Sequence, residues 1–441
     1  MSSTKPHRRR SRPSSPSTTP VASSSSTRSR KPILFAIAAC AVGLLISLLL
    51  PSRLYWHRYQ TQLRNTNYAA ATKALESAER WWASTASVIL ANANILAQQG
   101  YDDRAMTAIV AAENIGADPA IASAMKSRLK WQSGNLDSRA QQYDTPGFTP
   151  DDYAAIAMGY IVRGNDADAA KVTQTWQQRN PQDASAEVIA SLIAQNREDS
   201  DQAGKLLRDA IRKNPKHVTA RFELAQHQYD QRNFDAALAG FESVISTLSP
   251  FVPAGDRVSI NGEQLHASQF IRALILQEQD QIDEAEDQFQ KLLETFEDDF
   301  AIRYSLANMY ALQGNGDKIL ETLEPIIHRF PEDISLNYLM ATGETLRGNV
   351  ALANDWIDQY LKARRQLNQL LEAERIRGNR PPDPEFSMLL AETYLRFKWD
   401  DAKPWLDLAA SLQPRSPRVR RGYRQFYENS GNFEHAARYS D

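Results

Sequence analysis

Apolar residues recur along most of this chain at three- and four-residue steps. In the stretch NFDAALAGFESVI, Asn233 to Ile245, the residues Phe234, Ala237, Phe241, Val244 and Ile245 fall on one stripe of a helix that turns about 100° per residue. A methyl at Ala237 lets a second helix come close, while Phe241 fills the space one turn on. The same phrase returns at a regular interval of about 34 residues, the length of a helix–turn–helix repeat unit. Steps of that length lead back from Ala237 to Ala203 and Ala169; a slightly shorter one reaches Arg139 beside Ala140, and two more ordinary steps reach Ala105 and Ala71. Forward, a long step leads to Ala285, ordinary steps to Ile319 and Ala353, a second long step to Ala402, and an ordinary step to Ala436. The phase survives both long steps, so they read as insertions of about 14 and 15 residues into one array rather than as breaks between domains.

A second helical phrase precedes each of these positions. In LANMYALQGNGD, Leu306, Ala307 and Tyr310 share one face and Gly314 ends the helix; Gly100, Gly134, Gly164, Gly348 and Gly431 stand at the corresponding place. Pro181 and Pro215 follow Ala169 and Ala203 by twelve residues. Two helices per unit, small residues at the crossing and Pro at the exit resemble the tetratricopeptide repeat, whose fuller pattern of Trp, Leu, Gly, Tyr, Ala, Phe and Pro no single unit here carries entire. The resemblance covers Leu54 to Asp441, and its weakest units are those at Arg139 and at the C-terminal end. It implies an all-α, right-handed solenoid of antiparallel helix pairs over residues 51–441, with insertions near 249–262 and 366–384.

The N-terminal segment 1–31 is different in kind. It holds Lys5, Arg8, Arg9, Arg10, Arg12, Arg28, Arg30 and Lys31, no acidic group and a Ser/Pro-rich centre, a composition that cannot bury enough surface to fold. PILFAIAACAVGLLISLLL, Pro32 to Leu50, then runs for nineteen residues without a charge. As a helix it would span roughly 28 Å, close to the thickness of a bilayer's hydrocarbon core. Three readings of it compete: a cleaved signal, for which no small-x-small site follows; a lipoprotein-like IAAC box at Cys40, which leaves half a span behind it; and an uncleaved anchor, which is the expectation here. Eight basic groups before the segment, against Arg53, Arg58 and Arg64 after it, place the tail in the cytoplasm and the array outside, as for a bacterial inner-membrane protein facing the periplasm. Tyr55, Trp56 and Tyr59 suit either the outer membrane interface or the first repeat helix.

Charge separates in the same way. The chain has 51 basic and 53 acidic groups, and removing the tail's eight leaves 43 against 53, a net of −10 for the remainder. An acidic array argues against nucleic acid as a partner. Cys40 is the sole cysteine, so the array holds neither a disulfide nor a thiol nucleophile.

No catalytic, metal or cofactor pattern emerges. The seven histidines are scattered, His217 and His227 are ten residues apart rather than four, and GNGD at Gly314 to Asp317 is a repeat turn, not a phosphate loop. The expectation is therefore a protein that binds and does not catalyse. Counting fifteen residues back from the small positions gives Phe222, Phe270, Tyr304 and Tyr338, an aromatic row that either grips a partner in the groove or fills space between first helices. The Lys and Asn pattern of carboxylate-clamp repeats is missing there, so an acidic chaperone tail is not the expected ligand. The reading is a membrane-anchored scaffold or adaptor that assembles protein partners through its groove. The alternative is a peptide- or glycan-binding regulatory subunit of a secretion or polysaccharide-export system. The insertions read either as binding-face additions or as plain surface loops. The sequence does not specify an oligomeric state.

Overall fold

The computed structural model describes residues 53–439 apart from 81–84, 379–382, 414–415 and 438. The basic tail, the apolar segment 32–50 and Cys40 lie outside the described residues. No helix among the described residues is long and apolar enough to cross a membrane.

Every described element is helical, and the helices come in pairs. They are α1 (53–64) with α2 (Tyr68–Glu79), α3 (Thr85–Gln98) with α4 (Asp102–Asn114), and α5 (Pro119–Gln132) with only a 3₁₀ turn, Ala140–Gln142. Then follow α6 (Pro150–Val162) with α7 (Asp166–Arg179), α8 (Ala184–Asn196) with α9 (Ser200–Lys213), and α10 (Val218–Asp230) with α11 (Phe234–Leu248). The array continues with α12 (Ile260–Glu278) and α13 (Ile282–Thr295), α14 (Phe300–Leu312) and α15 (Gly316–Ile327), and α16 (Ile334–Leu346) and α17 (Val350–Arg377). It ends with α18 (Pro384–Phe397) and α19 (Lys403–Leu412), then α20 (Pro417–Asn429) and α21 (Phe433–Ala437).

The register of buried positions holds except at Arg139, which is exposed while its neighbour Ala140 is buried in its place. Ala71, Ala105, Ala140, Ala169, Ala203, Ala237, Ala285, Ile319 and Ala402 are wholly buried, and Ala353 and Ala436 nearly so. The physical reason shows at the α10–α11 crossing, where a Cβ built on Gly240 would lie 2.7 Å from the Ala225 Cβ. Side chains larger than these would force the pair apart. The unit at Arg139 has lost its second helix; its shorter step leaves room only for the 3₁₀ turn that buries Ala140.

The turns repeat as regularly as the crossings. Gly100, Gly134, Gly164, Gly314, Gly348 and Gly431 have φ between 69° and 87°, and Thr66, Glu198, Arg232 and Asp280 occupy the equivalent place at φ 53–60°. Several helices start on a side-chain cap: Asp183, Asp199, Asp299 and Asp333 accept from backbone N–H groups, and Thr149 forms a capping box with Asp152. In the two long steps, residues 249–259 join α11 to an α12 lengthened to 19 residues, and α17 runs on for 28.

Candidate interaction surface

First helices of neighbouring units touch one another far more than second helices do, so the array curves with its first helices inside. On α10, α12, α14 and α16 the incompletely buried side chains of this inner side come at steps of three and four. They are Phe222, Gln226 and Tyr229; Phe270, Leu274 and Gln277; Tyr304, Asn308 and Ala311; Tyr338, Thr342 and Thr345. None is charged. The same positions on successive helices line up into a strip that offers rings, aliphatic surface and neutral hydrogen-bonding groups.

The four residues of the aromatic row sit on these four helices, and each ring pairs inside its own unit rather than with its neighbour in the row. Phe222 meets Phe241 edge-on at 6.0 Å, Phe270 meets Phe289 at 6.0 Å, Tyr304 stacks on Phe300 at 6.1 Å, and Tyr338 meets Tyr360 at 5.8 Å. Phe270 and Tyr304 pack against the central core with one side and keep the other partly open, whereas Tyr338 is 57% exposed. The amides of Gln226, Gln277 and Asn308 escaped the sequence reading. They follow the row by four or seven residues, a spacing visible in the sequence only once the first helices are aligned.

Both ends of the array fold onto the edge where the first helices begin. At the N-terminal end, the Asn65–Asn67 turn between α1 and α2 is buried against the starts of α10 and α12. Val218 N–H donates to the Asn65 carbonyl at 2.8 Å, and Thr219 N–H donates to the Thr66 hydroxyl at 3.0 Å. The wholly buried Asn261 donates from Nδ2 to the Thr66 carbonyl at 3.0 Å, and its Oδ1 accepts from Ala69 N–H at 3.1 Å. Ala69 packs into the cluster of Val218, Val244, Leu248 and Val252, beside Phe222. Tyr59, on α1, is buried in the cluster built by Tyr68 and Leu75, so at least this interface candidate belongs to the repeat core. At the C-terminal end, Trp399 lies 5.4 Å from Phe300, 6.0 Å from Phe330 and 5.7 Å from Phe426, joining α14 to α20. The open part of the strip is therefore its other half, toward Tyr229, Gln277, Ala311 and Thr345.

Two buried groups under these arms carry shifted ionisation. His217 caps α10: Nδ1 accepts from Ala220 N–H at 3.1 Å, which leaves Nε2 to donate to the Ser185 hydroxyl at 3.2 Å. Burial pushes its pKa down to about 4, so the ring is neutral in the folded protein near neutral pH. Asp333 caps α16 and is pushed up to about 7 by burial and by Asp400, against its bonds from the Leu336 and Ser335 N–H groups. Neither stands in a catalytic constellation, and among the described residues no three His, Cys, Asp or Glu side chains group as metal ligands.

Residues 190–253 and 272–333 match the family model described as a tetratricopeptide repeat. The array is a helical solenoid of tetratricopeptide type. The matched stretches contain α9, α10, α11, α13, α14 and α15 entire, and so include the strip residues of α10 and α14. No curated protein matches the chain in sequence. Among solved structures it is similar to a tetratricopeptide repeat protein from Parabacteroides merdae, at 16% identity over 68% of this chain and 97% of that one, with a TM-score of 0.39. It is also similar to YrrB, described as a TPR protein with an unusual peptide-binding site, at 15% identity over 43% and 91%, with a TM-score of 0.35. Yeast Tom70 shares 14% identity over 93% and 88%, with a TM-score of 0.33. Likeness at this level carries nothing about partners.

Proposed function

We propose that this chain is a non-catalytic scaffold that holds an extended segment of a protein partner along the inner strip of α10 to α16. The observation that carries this reading is the strip's chemistry: rings and neutral hydrogen-bonding side chains recurring at one repeat interval, with carboxylates only at its margin. An extended peptide presents alternating backbone N–H and C=O groups, and a Gln or Asn amide both donates and accepts. The half-open rings supply contact area at small entropic cost. A repeat array with a closely packed core is already shaped for such a segment, which keeps the cost of ordering low.

The apolar stretch 32–50 anchors the scaffold in a membrane, with the basic tail on the cytoplasmic side and the array outside. The eight basic groups before the stretch support this orientation. Anchoring confines the bound partners to the membrane surface and raises their effective concentration for one another.

Combining Gln277→Arg with Asn308→Arg places two charges in a neutral strip without touching the buried crossings. In the full chain this double variant is expected to capture the partner about tenfold less well or worse, with melting unchanged. Equal capture by the variant would overturn the strip as the binding face. Binding of purified glycan by the full chain, without any protein partner, would favour the regulatory-subunit reading instead.

A further inference from the structure

The first long step in the repeat does more than lengthen a loop. Residues 249–256, with α12 and α13, line an open-sided cavity of about 600 Å³, within the size range of small-molecule sites. The loop is fastened on several sides. Val252 is buried in the α11 cluster, and the Pro250 carbonyl accepts from Lys73 Nζ at 3.0 Å. Arg257 bonds to Asp299 and lies 5.4 Å above the Phe296 ring. A Cβ on Gly262 would stand 2.4 Å from the Asp256 carbonyl oxygen, so the roof lies close on α12 only because residue 262 has no side chain.

The lining is amphipathic, and it includes one guanidinium that no carboxylate pairs. Leu265, Leu292 and Phe296 form apolar wall, while Arg272 and Lys291 bring two cations. Asp256, which also lines the cavity, is held by the Val258 and Ser259 N–H groups and the Ser259 hydroxyl and makes no ion pair with Arg272. Lys291 is paired with Asp287 at the mouth. Arg272 makes no ion pair among the described residues: its Nη2 donates to Gln288, and its buried Nε has no hydrogen-bond partner. Arg128, Arg257, Arg329 and Arg377 each hold a carboxylate, and the buried Arg303 is satisfied instead by the Glu297 and Thr322 carbonyls, whereas Arg272 Nε has no such counterpart. A buried guanidinium nitrogen left unpaired is costly unless something supplies the missing acceptor.

We infer that this cavity is a binding site for a small organic anion, whose charged group meets Arg272 and whose apolar body lies against Leu265, Leu292 and Phe296. The site is separate from the inner strip and stands independently of the scaffold reading. A planar guanidinium suits a carboxylate or another oxyanion, through two parallel hydrogen bonds.

The test uses 2-naphthoate and its neutral isostere 2-naphthamide. Each is measured by equilibrium dialysis against the full chain in detergent, with protein-free detergent as the baseline. Naphthoate is expected to bind saturably at one equivalent, about tenfold or more tighter than naphthamide. Arg272→Met is expected to remove that preference while leaving the helical melting curve in place, and Lys291→Met to weaken naphthoate by a smaller factor. No saturable naphthoate binding, equal affinity for the two probes, or an unchanged preference in Arg272→Met would each overturn the site. Should Arg272→Met not fold, the comparison of the two probes on the unaltered chain still decides.

Discussion

Asn261→Ala should release the first helix pair from the array without unfolding the rest. The Asn261 side chain is wholly buried and makes three bonds, with Ala69 N–H at 3.1 Å, the Thr66 carbonyl at 3.0 Å and Gln264 Oε1 at 3.1 Å. Truncation leaves one buried donor and two acceptors without partners, each costing about 1–3 kcal/mol. Undocking of the Asn65–Asn67 turn returns the Ala69 and Thr66 groups to water, so the loss falls on local opening, at roughly 3 kcal/mol. In hydrogen exchange read by mass spectrometry, that is an acceleration of about a hundredfold for amides in α1 and α2. Amides in α14 to α16 should keep their protection. Unchanged exchange in residues 53–79, or a uniform rise along the whole array, would refute the reasoning.

Ionisation gives a paired test, because the two shifted groups act with opposite signs in overlapping windows. His217, with its pKa lowered from 6.5 to about 4, contributes stability that is present above 6.5 and lost as pH falls toward 4. Asp333, raised from 3.8 to about 7, contributes stability that is present below 3.8 and lost as pH rises through 7. Each slope approaches about 1.4 kcal/mol per pH unit, so a global melt is expected to vary little between pH 4 and 6.5, while exchange protection, with the intrinsic base-catalysed rate divided out, falls toward acid in residues 53–79 and toward neutral pH in 398–429. Asp333→Asn keeps a capping side chain and should abolish the second trend alone. Arg232→Gly relieves a left-handed non-glycine turn at φ 57° and should raise stability by about 0.5–1 kcal/mol in denaturant titration. Gly240→Leu drives a side chain into Ala225 and should lower stability by about 1–3 kcal/mol or more; an unchanged midpoint would mean that α10 and α11 do not cross closely there.

The sequence carried the repeat and not its closure. Ala237 and its counterparts were legible because a crossing admits only small residues at one spacing, and the spacing repeats. Gly314 and Gly348 marked the turns for the same reason. Thr66, Glu198, Arg232 and Asp280 fill equivalent turns without glycine, and local chemistry alone gives them no signal. Asn65, Thr66 and Asn67 read as an ordinary polar turn. The partners of Thr66, His217 and Asn261, stand 151 and 195 positions along the chain from it, and a single non-repeating contact leaves no period in the sequence. The aromatic row was visible as a row, but Phe270 and Tyr304 each divide between core and open surface, a division that depends on how far neighbouring first helices close. Arg272 gave no signal at all, because its isolation from carboxylates is a property of the folded loop around it.

Site-specific photocrosslinking maps the binding face most directly. A benzoylphenylalanine placed at Gln277 or Asn308 on the strip is to be compared with one at Glu284 or Glu294, exposed positions on the second helix α13. With the full chain in its native membrane, the strip positions should yield a discrete protein adduct whose crosslinked residues lie in one extended segment of the partner, and the α13 positions should not. The same adduct from both sets, or adducts from the α13 positions alone, would contradict the account.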